Sequence, residues 1–111
     1  MYEITVSASF KITLKRLIDF LTTKHSLALA EETKQSIKKA ILENLPTNPH
    51  FAHVSSRLID LGIKEYRQYQ IDEHNLVFYR VDEECKKIIL LAVMDSRQSI
   101  QKLLSEVLLL S

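Results

Sequence analysis

The stretch at residues 66–97, YRQYQIDEHNLVFYRVDEECKKIILLAVMDSR, decides the fold. Residues 76–81 (LVFYRV) and 88–93 (IILLAV) are its most β-prone runs, rich in the β-branched and aromatic side chains that suit a pleated surface. The polar tetrads Asp72-Glu73-His74-Asn75 and Asp82-Glu83-Glu84-Cys85 separate the runs and supply turn-forming side chains. The segment is predicted to form three strands in an antiparallel meander, with Tyr66-Arg67 opening the first and Arg97 just beyond the last. Both long runs are nearly all apolar, so each face of the sheet is expected to meet cover.

Outward from this stretch, residues 2–6 (YEITV) alternate like a short edge strand. Ser7 or Ser9 can cap the helix that follows, whose stripe is Phe10, Leu14, Leu17, Ile18 and Leu21. The pattern weakens at Thr22-Thr23-Lys24-His25, and Ser26 can cap a second helix carrying Leu27, Ala30, Ile37, Ile41 and Leu45 on one face. Two amphipathic helices joined by a short polar turn predict a helical hairpin laid on a sheet. Leu45-Pro46-Thr47-Asn48-Pro49 stops the second helix. Ser55 or Ser56 can start a short helical turn through Leu58 and Leu61, with Gly62 as its left-handed end. In the tail, Ile100, Leu103, Leu104, Val107 and Leu108 recur at helical spacing, and Leu109 and Leu110 widen that apolar surface. The expected fold is α+β: a small, antiparallel-rich sheet in the order β-α-α-β-β-β, an N-terminal helical hairpin over it, and a C-terminal helix.

Composition sets outer limits. A chain of 111 residues, 46% hydrophobic and 26% charged, fits one soluble globular domain spanning residues 1–111. Its net charge of +1 does not mark it as a nucleic-acid binder. The single cysteine, Cys85, rules out an internal disulfide and points to a reducing cytoplasm. No secretory signal is expected at the N-terminus, and no apolar run approaches the roughly 20 residues that span a bilayer. His50 and His53 have i, i+3 spacing, but no further ligand lies near them in sequence, so no metal is expected. Cys85 follows two glutamates, which do not favour its thiolate.

The layout and motifs of residues 66–97 resemble the RelE/ParE toxin superfamily of type II toxin–antitoxin systems. The resemblance is carried by Tyr66-Arg67, by the strand Val77-Phe78-Tyr79-Arg80-Val81-Asp82-Glu83, by residues 88–93 and by Arg97 after the last strand. The paired helices and the break at residues 45–49 extend it over nearly the whole chain. It implies a toxin of the plasmid-stabilisation kind, a cognate antitoxin as partner, no cofactor, no membrane, and possible homodimerisation.

The superfamily divides by chemistry. RelE-like members are ribosome-dependent mRNA endonucleases, and cleavage through the 2′-hydroxyl needs a proton acceptor, a proton donor and cations for the phosphorane. The arginine such members carry at the start of the middle strand is replaced here by Leu76, after His74-Asn75. Their preceding lysines fall at Arg67 and Tyr69, and Asp95-Ser96 puts an anion before Arg97. No tyrosine or histidine follows Arg97. These departures favour the ParE-like branch, which the resemblance implies inhibits DNA gyrase by binding. The alternatives are an mRNA interferase using Arg67, Arg80 and Arg97, and a toxin-fold binding module without toxicity.

Arg67, Arg80 and Arg97 are accordingly the candidate target-binding residues, and the weak candidates for catalysis. They can instead be sheet-surface residues paired with acidic turns such as Asp82-Glu83. Tyr66, Tyr69 and Tyr79 can stack on bases or pack in the core. Leu14, Leu17, Leu21, Ile100, Leu104 and Leu108 are the candidate partner-binding residues, because antitoxins of this superfamily wrap a segment around an apolar surface.

Overall fold

The computed structural model describes the backbone of residues 1–110 and the side chains of residues 1–105, so Leu108 as a partner residue lies outside the described side chains. The chain runs β1 (Glu3–Val6), α1 (Ala8–Lys24), α2 (Leu27–Asn44), α3 (Ser56–Asp60), β2 (Arg67–Gln70), β3 (Asn75–Asp82), β4 (Lys87–Asp95) and α4 (Ile100–Leu110). The expected α+β fold is the one observed. Ser7 caps α1 by accepting from Phe10 N, and Ser26 caps α2 by accepting from Leu29 N. Ser55 caps α3, and Gly62 stands at φ +81° just after it, a conformation that suits a residue without Cβ. Each turn of the meander is built on an aspartate. Asp72 Oδ1 accepts from the backbone N–H groups of His74 and Asn75, and Asp82 Oδ1 from that of Cys85.

The sheet order is β1-β4-β3-β2. β2, β3 and β4 form the antiparallel meander, whereas β1 adds parallel to β4, from Glu3 beside Lys87 to Val6 beside Leu90. The last strand in sequence is therefore an inner strand, and both of its faces are covered. Toward the α1–α2 hairpin, Val77, Tyr79, Ile88, Leu90 and Val93 pack with Phe10, Leu17, Leu21, Ala30, Ile37, Ile41 and Leu45. On the opposite face, Leu76, Phe78, Ala92 and Met94 pack with Leu58 of α3 and Leu103 and Leu104 of α4. Leu27, expected on the inner stripe of α2, is exposed; the stripe meets the core only from Ala30 onward.

A bulge reconciles these two layers. The β3–β4 register slips between Phe78 and Tyr79, which face Ala92 and Leu90, leaving Leu91 as the extra residue. The slip reverses the alternation, so Leu90 and Val93 both face the hairpin. Beyond Leu90, β4 has no strand on its β1 side, and α1 takes over the open edge. Ser9 Oγ donates to the Leu91 carbonyl at 2.7 Å, and Val93 N donates to Thr13 Oγ1 at 3.1 Å. Thr13 is fully buried, and its hydroxyl donates a hydrogen bond to the Phe10 carbonyl. Thr13→Val keeps the shape and strands the Val93 N–H, so urea unfolding is expected to show a loss of about 1–3 kcal/mol.

Candidate functional site

The fold does not gather Arg67, Arg80 and Arg97 into one patch. Arg67 lies opposite Tyr79 in the sheet, on its hairpin-facing side, and Arg80, next to Tyr79, points the other way. Arg97 lies past the end of β4.

Each arginine has different surroundings. Arg67 Nη1 donates to the Ala52 and His50 carbonyls at 2.6 and 3.2 Å, tying down the loop after α2. The fully buried Tyr79 hydroxyl donates to the Pro49 carbonyl of that loop at 2.7 Å. Burial pushes the Tyr79 hydroxyl up to about 12 despite the Arg67 charge, so it remains a donor. Tyr79 therefore cannot stack on a base, and Tyr69 also belongs to the core. Arg80 is part-exposed and makes no hydrogen bond or ion pair among the described residues. The acidic turn expected to pair with it is engaged elsewhere: Glu83 accepts from Tyr2 and pairs with His50 and Lys86.

Arg97 is held most firmly. Its Nε and Nη2 grip the two oxygens of Asp95 at 2.7 and 2.6 Å, and its backbone N–H adds a third bond at 2.8 Å. Asp95 is only 1% exposed, and the Arg97 guanidinium stands 6.0 Å from the Phe20 ring. Burial raises the Asp95 carboxyl, but the bonds and charge of Arg97 outweigh it, and the carboxyl sits below its ordinary value. A planar fork on a carboxylate is the strongest pairing an arginine makes.

Of the apolar candidates, Leu17, Leu21 and Leu104 are buried in the two cores, and Ile100 packs against the second. Leu14 lines a groove of roughly 270 Å³ between β1, α1 and α2, together with Val6, Phe10, Ile37, Ile41 and Leu42. Val6 and Leu42 are exposed. Lys11, Lys34 and Lys38 also line it. Those lysines look like ordinary solvent-facing residues in the sequence. Their signal is the i, i+4 step of Lys34 and Lys38 beside the similar step of Ile37 and Ile41.

No group of three metal-ligating side chains is arranged to hold an ion among the described residues, and none of the helices there is long and apolar enough to cross a membrane. His50 is not paired with His53 but contacts Glu83 and lies edge-on to Tyr2. Cys85 is free and exposed.

Comparison with known proteins agrees with this architecture. The fold is similar to that of a chromosomal ParDE toxin–antitoxin system from P. aeruginosa, with a TM-score of 0.68 at 14% identity over 86% of this chain and 96% of that one. It is also similar to the RelBE2 toxin–antitoxin complex of Mycobacterium tuberculosis, with a TM-score of 0.58 at 15% identity over 85% and 96%. No curated protein sequence matches the chain significantly. Residues 4–100 match the family described as the ParE toxin of the type II toxin–antitoxin system parDE, and the chain belongs to that family.

Proposed function

We propose that this protein acts as a toxin in the cytoplasm by binding DNA gyrase stoichiometrically, and that a cognate antitoxin neutralises it. The observation that carries the binding mechanism is the Asp95–Arg97 fork. The arginine that an RNA-cutting centre would turn toward a phosphate is already neutralised by a buried carboxylate. Leu76, at the position of the nuclease arginine, is a fully buried core residue. Of the three candidate arginines, Arg80 is then the one left for a target, since no partner holds it among the described residues.

The antitoxin reading rests on the groove beside Leu14. An apolar wall with three lysines suits a segment carrying apolar anchors and acidic flanks, with the charges speeding encounter and the anchors supplying affinity. Expression alone is expected to arrest growth, and co-expression of the adjacent antitoxin gene to restore it. The purified protein should inhibit gyrase supercoiling without cutting translated mRNA. Arg80→Glu should weaken that inhibition about tenfold or more with circular dichroism unchanged. Mapped cuts in translated mRNA with supercoiling unaffected would replace this mechanism with the nuclease one.

A further inference from the structure

The groove beside Leu14 runs along α2 from Lys34 to Leu42, roughly 12 Å at the helical rise of 1.5 Å per residue. Its floor belongs to the first core, through Phe10, Ile37, Ile41 and Leu90. Val6 and Leu42, 42% and 53% exposed, leave apolar surface for an occupant to cover. Every side chain that lines the groove is either apolar or a lysine. The ammonium groups of Lys11, Lys34 and Lys38 make no hydrogen bond or ion pair among the described residues.

Side chains with no donor or acceptor cannot replace the water that a polar group would lose, so what seats on the floor is hydrocarbon. A peptide backbone laid there would leave amide groups unsatisfied, whereas an alkyl chain has none to satisfy. Three unpaired ammonium groups, with no carboxylate among the lining residues, attract an anion and repel a cation. An unbranched chain ending in one carboxylate meets both demands in a single molecule. The length of the groove along α2 suits an extended chain better than a compact ring. Lysine stems can lie along that chain while their ammonium groups reach the carboxylate.

We propose that this groove binds a free fatty acid of medium chain length, with the alkyl chain on the floor and the carboxylate among Lys11, Lys34 and Lys38. Such a molecule copies the apolar anchors and acidic flanks proposed for the antitoxin, so the two compete for the groove, and that competition alone rests on the antitoxin reading. The test is an NMR titration of the full chain, without partners, using sodium decanoate, sodium butyrate and decyltrimethylammonium bromide. Decanoate should shift the amides of Val6, Leu14 and Leu42 saturably, with a Kd below about 1 mM. Butyrate, which lacks the chain, and the ammonium amphiphile, which reverses the charge, should each bind at least about tenfold more weakly. Lys34→Gln combined with Lys38→Gln, both at exposed positions, should weaken decanoate several-fold and leave the rest of the spectrum unchanged. No saturation by decanoate, or equal binding of butyrate or of the cationic amphiphile, would overturn the assignment. Added to the toxin–antitoxin complex, decanoate should release the toxin. Saturable binding without release would keep the fatty-acid site and remove the antitoxin from this groove.

Discussion

Arg97→Met is expected to destabilise the protein at neutral pH, by an amount that shrinks in acid. The guanidinium is half-exposed, but the carboxylate it grips is 1% exposed, so removing the fork leaves a buried anion with its main partner gone. That uncompensated Asp95 carries a desolvation cost of roughly 2 kcal/mol. In the native protein the Asp95 carboxyl is held below its ordinary value, so its contribution is fully present above the unfolded value, about 4, and is lost as pH falls through the folded one. In the variant the backbone N–H of residue 97 and the His74 charge still oppose burial, but the guanidinium bonds and charge no longer do, so the folded value rises from its native position. The variant's penalty is then full at neutral pH and shrinks as acid protonates the carboxyl. Urea unfolding at pH 7 and pH 5 reads both effects: the gap between variant and wild type should narrow at the lower pH. A constant gap would mean that Asp95 is not what the substitution exposes.

Leu14→Glu should separate toxicity from its neutralisation. A carboxylate in the apolar groove removes an anchor and must be desolvated when the antitoxin docks, so affinity should fall about 100-fold, close to 3 kcal/mol. Leu14 also touches the core, so Leu42→Glu, at an exposed position in the same groove, provides the control for folding. Both variants should still arrest growth, and co-expressed antitoxin should no longer rescue it. Lys34→Glu should reduce the association rate more than the lifetime of the complex, with the loss fading at high salt. Full rescue of both leucine variants would move the docking site elsewhere.

Much of this architecture is legible in the sequence, and the rest fails for definite reasons. The hairpin, the short helix between Ser55 and Gly62 and the three-strand meander follow from local periodicity and capping chemistry. The parallel placement of β1 does not, because Glu3 meets Lys87 through a pairing that no local pattern encodes. The continuous apolar run at residues 88–93 hides the bulge at Leu91, since every position is compatible with either face. For the candidate site, the sequence places an anion before Arg97, but only the geometry shows a buried, bidentate pair. Arg67 reads as a surface cation because its acceptors are backbone carbonyls, which side-chain identities cannot reveal.

The parallel β1–β4 pairing also constrains the order in which this molecule can come into being. During synthesis β1 and the helical hairpin emerge before β4, the strand that completes the sheet between β1 and β3. Until residue 95 has cleared the ribosome, β1 has no partner and the hairpin lacks Leu90 and Val93 beneath it. Closing so long a loop is the slow step of such a topology. A nascent or truncated chain that stops short of β4 thus lacks the assembled fold.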